Sequence, residues 1–144
     1  MITRDYILRQ VQQAVNALAK VSLKRQAQEY HIAHDILSQT IQEVTGADPE
    51  RVRNMTVDDL LRVCGNVDEF SSDKAVVLAD LLREDGFVQE ALGKEEMAKR
   101  SWESAIWLYK AVAKSGGVVP FDLESRLTHL NALLQSDQRL LSFV

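Results

Sequence analysis

Apolar side chains recur at steps of three and four along almost the whole chain, and no stretch alternates apolar with polar long enough to make a sheet. From Thr3 to about Ser22, Ile7, Val11, Ala14, Leu18 and Val21 form a stripe that Leu8 and Val15 widen, with Arg9, Gln12, Gln13, Asn16 and Lys20 opposite. At 100° per residue those seven apolar positions fill an arc of roughly 140°, the signature of an amphipathic helix. Thr3 reads as its N-cap, and Asp5 is favourable in its first turn. A second helix is expected from about Lys24 to Thr45, with Tyr30, Ala33, Leu37, Ile41 and Val44 on one side and Ile32 and Ile36 on an adjoining strip. So wide an apolar surface predicts two neighbours and an interior place; Gly46 supplies the stop.

Ala47 to Asn54, with Pro49 and four charges, reads as a connection. Thr56-x-x-Asp59 then resembles a capping box opening a short helix to Gly65, anchored by Leu60, Leu61 and Val63. Another helix is expected from Ser72 or Asp73 to Gly86 or slightly past, burying Ala75, Leu78, Ala79 and Leu82, with a break at Gly93. Met97, Ala98, Trp102, Ala105, Leu108 and Val112 mark a long helix from Lys94 to Ser115, which Gly116-Gly117 ends. After Pro120 the spacing Leu123, Leu127, Leu130, Leu134 defines the last helix. The predicted class is all-α, a single helical domain over residues 1–144.

With 46% of 144 residues apolar and 26% charged, the chain can bury a core without metal or disulfide. Apolar runs such as Ala75-Val76-Val77-Leu78-Ala79 fall far short of the ~20 residues of a membrane span. The lone Cys64 cannot close an internal disulfide, and Arg4, Asp5 and Arg9 interrupt the place where a secretion signal needs apolar residues, so a cytoplasmic protein without a membrane partner is expected. The net charge of −4 disfavours nucleic acid as a partner. Its distribution is uneven: residues 1–28 balance at +4, residues 29–100 hold 8 basic and 16 acidic side chains, and the rest is neutral. A basic first helix lying against an acidic middle would use both.

Residues 79–112 resemble one tetratricopeptide repeat, a helix pair that places small residues where the helices cross and aromatic residues beside them. Gly86 falls on the repeat's first glycine, Gly93 at the turn, Ala98 and Ala105 at the small positions, Trp102 at the aromatic position and Leu108 one turn later. The same residues suit close packing on physical grounds, since alanine lets backbones approach and tryptophan covers the adjacent void. Asp85, Gln89 and Lys110 depart from the pattern, which prefers leucine, tyrosine and proline there, so surface or partner contacts are expected to differ. The opening Met1-Ile2-Thr3-Arg4-Asp5-Tyr6-Ile7-Leu8-Arg9 also resembles the start of a bacterial protein family with tetratricopeptide-like helices and no assigned activity. The two resemblances imply antiparallel helical hairpins in a right-handed tetratricopeptide-like stack. They imply no chemistry.

Several constellations admit two readings. His31, His34 and Asp35 stand at i, i+3 and i+4 and could share a metal ion, or be polar surface residues; no further ligand with metal spacing lies nearby. Arg4, Asp5, Tyr6 and Arg9 could hold a partner's anionic group, or be a cap, an anchor and solvated arginines. Asp58-Asp59, Glu84-Asp85 and Glu95-Glu96 read as helix-terminal or solvated acids, because adjacent helical residues point about 100° apart. Cys64 reads as a buried inert thiol, and the sequence carries no phosphate loop, no Gly-x-Ser-x-Gly and no zinc-finger spacing.

The leading expectation is a protein-interaction or scaffold domain with no catalysis and no cofactor. In tetratricopeptide proteins the first helix of a pair lines the inner groove, and that resemblance nominates Asp80, Arg83, Phe87 and Glu90, beside Arg4 and Arg9, for a protein or peptide partner. Phe87 would be an exposed anchor, or else be packed under Trp102 or the final helix. The apolar tail Leu140-Leu141-Ser142-Phe143-Val144 would fold back onto the last helix, or else be buried against a second subunit, and self-association through helical faces is a further expectation. The alternative is a small-molecule or metal-dependent protein using His31, His34 and Asp35.

Overall fold

The computed structural model describes the backbone of residues 3–66, 69–116 and 119–142, and the side chains of these except 3–4, 66, 69–70 and 136–142. Within those residues the chain forms α1 (Thr3–Gln26), α2 (Tyr30–Thr45), α3 (Pro49–Arg53), α4 (Val57–Val63), α5 (Ser72–Ala91), α6 (Glu95–Lys114) and α7 (Leu123–Ser142). A two-residue antiparallel ladder, β1 (Gly65–Asn66) with β2 (Glu69–Phe70), pairs Gly65 with Phe70 and Asn66 with Glu69. The all-α class follows the apolar periodicity. The short ladder joining α4 to α5 is too brief to have an alternating pattern.

The α1–α2 turn falls later than periodicity suggests. α1 runs on to Gln26, and the break is made by Gln28 at φ 61°, with Gln28 N–H donating to Arg25 O (3.0 Å) and Glu29 N–H to Lys24 O (2.8 Å). That pair of bonds is the Schellman closure in which glycine usually holds the left-handed position; with glutamine there, the boundary carries no glycine signal. α3 also arises where a plain connection is expected. Asp48 accepts from Glu50 N–H and Pro49 begins the helix, a combination that starts helices because proline's missing donor is not needed there. Thr56 caps α4 as its spacing predicts, accepting from Asp59 N–H at 3.2 Å.

α5 is the enclosed helix, packed by α1, α2 and α6. It buries Ala75, Val77, Leu78, Ala79, Leu81, Leu82 and Val88, each large aliphatic chain contributing roughly 1.5–3 kcal/mol. α2 does have more than one neighbour, touching α1, α3 and α5, but the most interior place belongs to α5. α5 also passes straight through Gly86 to Ala91. Gly86 is not a stop: the Trp102 indole of α6 lies directly on it, and its Nε1–H donates to Arg83 O at 3.2 Å. Ala98, Trp102, Ala105, Leu108 and Val112 are buried on α6 as expected. On α1 the stripe is narrower than expected, since Leu8 and Val15 are exposed while Ala14 and Val21 are buried. α7 packs on α6 through buried Leu123 and Leu130.

Candidate functional site

Asp80, Arg83, Phe87 and Glu90 lie within about 80° of one another around α5 at 100° per residue. α1 brings Arg25 to one side of this strip and α7 brings Arg126 and His129 to it. Phe87 is half-buried, edge-on to Trp102 (centroids 5.5 Å apart, 64° between planes), tilted against His129 (6.0 Å) and covered by the Arg25 guanidinium at 4.9 Å. Of its two readings, packing under Trp102 and the last helix is the one observed; Phe87 is no free anchor.

Polar groups on the strip are paired, with one exception. Asp80 accepts from Arg126 at 2.8 Å and from the Tyr109 hydroxyl, and Arg126 also donates to Asp122 at 3.1 Å. Burial, reinforced by the Asp80 charge, pushes the Tyr109 hydroxyl above its ordinary range. Burial is the largest influence on the Arg126 cation and works against it, but Asp80, Asp122 and Tyr109 together outweigh it and hold the proton more tightly; the Arg126 hydrogen bond keeps half-buried Asp122 below the usual carboxylate range. Arg25 grips Glu84 at 2.8 Å. Arg83 is half-buried, and among the described residues its guanidinium has no hydrogen-bond or ion-pair partner; Nε is shut away from solvent. Its charge acts on Tyr109 and Asp122 only from a distance. Glu90 is exposed at the end of the strip.

Behind the strip, the positions that depart from the repeat pattern form a buried polar cluster. Asp85 accepts two 2.8 Å bonds from Arg53 of α3, one of 2.7 Å from Ser101 of α6 and one of 3.3 Å from Gln89. The Arg53 and Asp85 side chains are 2% and 0% exposed. Burial opposes the Arg53 charge, yet Asp85 more than compensates and its proton is held above the ordinary range. Gln89 continues the chain to His34 Nδ1 at 3.2 Å. Two expectations are corrected here. Asp85 and Gln89 do not alter the surface; they tie α5 to α2, α3 and α6 inside the core. Glu84 and Asp85 are not helix-terminal or solvated acids but buried mid-helix acids, each held by an arginine, whereas Asp58-Asp59 and Glu95-Glu96 do occupy first turns.

The remaining candidates are dispersed. His31 and Asp35 are exposed while His34 turns to Gln89, and among the described residues no group of three His, Cys, Asp or Glu side chains could hold a metal ion. Arg9 is exposed at a cleft of about 250 Å³ between α1 and α2 that Tyr6, Gln10, Gln13 and Glu43 also line. Tyr6 is 53% exposed and therefore does not anchor the helix. The Arg4 side chain and the tail from Leu140 lie outside the described residues. Cys64 is buried, and burial pushes its thiol up to about 12. A second groove of about 330 Å³ runs between α3–α4 and α6, with Trp107 half-exposed on its rim. Lys110 stands 5.4 Å from the Trp107 ring.

Arg25, Arg126, His129 and Arg53 are the site residues that sequence reasoning missed. Each belongs to a different helical environment from the residue it meets, and no local spacing announces such a pair. The one available signal was the charge imbalance, which Arg25–Glu84 satisfies across α1 and α5. No helix among the described residues is long and apolar enough to cross a membrane. No protein-family model, curated protein or solved structure matches this chain.

Proposed function

We propose that the chain is a cytoplasmic protein-interaction domain without catalysis of its own, its α1–α2 and α5–α6 hairpins stacking as tetratricopeptide-like pairs. The recognition face is the α5 strip of Asp80, Arg83, Phe87 and Glu90, framed by α1 and α7. Arg83 carries this reading. Arg25, Arg53 and Arg126 each grip a carboxylate, whereas the Arg83 guanidinium has no partner among the described residues. A half-buried cation with free donors is a poor structural element and a good contact for a partner, because arginine binds planar anionic groups through two parallel hydrogen bonds. Among the described residues no hydrogen bond restrains its guanidinium, so rotation about the side-chain torsions can present it outward. Phe87 and Trp102 stiffen the backbone beneath. Arg9, at the lip of the α1–α2 cleft, offers a second cationic contact.

A photo-crosslinking amino acid placed at Glu90, with one at Asp35 on α2 as the control, tests this in living cells. Discrete adducts of defined mass are expected from position 90 and not from position 35. If position 90 gives none, or gives the same adducts as position 35, the strip is not a recognition face.

A further inference from the structure

His34 points from α2 into the seam where α2, α3 and α5 meet. Its Nδ1 lies 3.2 Å from Gln89 Nε2, and the same amide nitrogen donates to Asp85 Oδ1 at 3.3 Å. An amide NH₂ has two hydrogens and no acceptor, so both neighbours must accept: His34 Nδ1 is unprotonated and the ring proton sits on Nε2. Gln89 is fully buried, and its Oε1 has no partner among the described residues. Among the described residues, the amide is therefore held in this orientation by its two acceptors.

Protonating His34 places an N–H against that NH₂. The conflict is relieved if the Gln89 amide turns over and offers Oε1 to the ring, but Oε1 then faces the Asp85 carboxylate. One orientation serves neutral His34 and Asp85 together; none serves the imidazolium and Asp85 together. The charged groups around the ring do not reverse this. Arg53 of α3 and Lys94 in the α5–α6 turn oppose a positive ring, while Asp85 of α5 and Asp35 of α2 favour it. Asp85 already accepts from Arg53, Ser101 and Gln89. With burial as the largest influence, His34 holds its added proton below the ordinary 6.5.

We infer that His34 is a pH-operated latch: its protonation turns the Gln89 amide, removes a donor from Asp85 and loosens the α3 arm that Arg53 fastens to α5. α3 is short, and among the described residues the side-chain hydrogen bonds that tie it and its C-cap Asn54 to the helices around it are Arg53 to Asp85, Arg53 to Ser38 at 3.4 Å and Arg100 to Asn54 Oδ1 at 2.6 Å. Weakening the first leaves two weaker polar ties and the seating of Val52 in the core. Arg53 and the turn that follows α3 line the groove whose rim carries Trp107, so a loosened arm changes the shape of that groove. The inference does not depend on the proposed recognition face.

Hydrogen exchange read by mass spectrometry over residues 47–56 tests it, with the intrinsic pH dependence of exchange divided out, alongside an NMR titration of the His34 ring. Val52, Asn54 and Met55 donate backbone bonds within this segment. Protection is expected to fall roughly tenfold on acidification, the population shift that one unsatisfied hydrogen bond produces, with a midpoint equal to that of the ring. In His34→Gln the fall should disappear. Unchanged protection in the wild type, a midpoint apart from that of His34, or the same fall in His34→Gln overturns the inference, and the wild-type titration alone is decisive if the variant does not fold.

Discussion

The indole of Trp102 occupies the space that a side chain on residue 86 would need: a Cβ built on Gly86 falls inside the van der Waals surface of Trp102 Nε1 and its neighbouring ring carbons. A mid-helix glycine normally loses about 1 kcal/mol relative to alanine. Here the relation is inverted, because the ring is 1% exposed and fixed by its bond to Arg83 O, and cannot move aside cheaply. Gly86→Ala should therefore destabilise the protein by roughly 1–3 kcal/mol, the usual range for overpacking. Urea midpoints measure it. In a Trp102→Leu background, where the ring is gone, the same alanine should be neutral or favourable, and an additive double mutant would contradict the contact.

Arg53 and Asp85 supply a second test. Replacing Asp85 with leucine, the residue the repeat pattern prefers, strands a buried guanidinium, and losing one partner of a buried pair costs roughly 3–5 kcal/mol. The double variant Arg53→Met, Asp85→Leu should recover most of that loss, since the remaining donors on Ser101 and Gln89 are neutral. Equilibrium unfolding of the three proteins decides the matter; a single variant as stable as the double would show that the pair does not act as a unit.

These two contacts also mark the border of what the sequence makes legible. Helix existence was readable because apolar spacing is local: Trp102, Ala98 and Ala105 fall on one face of α6 by periodicity alone. The role of Gly86 was readable only as packing, and its position invited a stop that α5 ignores. The partnership of Arg53 with Asp85 was not readable at all. It spans 32 positions and two helices, and α3 itself hides in a segment that its charges and proline make resemble a loop. The same applies to the candidate site. Its four α5 residues follow from the resemblance to a tetratricopeptide pair, but that Arg25, Arg53 and Arg126 meet carboxylates while Arg83 meets none among the described residues depends on which helices lie beside which.

Gln28 offers a stabilising substitution. It sits at φ 61°, where a Cβ crowds the following carbonyl and an ordinary residue loses roughly 1–2 kcal/mol. Glycine avoids that crowding but surrenders more entropy on folding, so Gln28→Gly should gain about 0.5–1 kcal/mol. The side chain is exposed, so nothing else is removed. A raised urea midpoint with an unchanged slope is expected. A lowered midpoint would mean that the α1–α2 turn is not closed through a left-handed residue.

Cys64 ties burial to both reactivity and pH. Burial raises its thiol from 9.0 to about 12, against a small opposing influence of Lys74, so at mild alkaline pH the folded protein holds about a thousandfold less thiolate than a free thiol would. A disulfide reagent at about pH 8 should modify it only as fast as the chain opens, and sub-denaturing urea should accelerate labelling in step with the unfolded fraction. The same shift makes stability depend on pH with a definite sign. Below about 9 the thiol is protonated in both states and its contribution is complete; as pH rises from 9 towards 12 the unfolded chain releases the proton and the folded chain keeps it, so stability falls. Tyr109, also raised, acts in the same direction above about 10, so the thiol is best read just below that point. Cys64→Ala should flatten this part of the profile while lowering its overall level slightly through the cavity it leaves. Rapid labelling of the folded protein, or an alkaline slope identical in Cys64→Ala, would place the thiol at the surface instead.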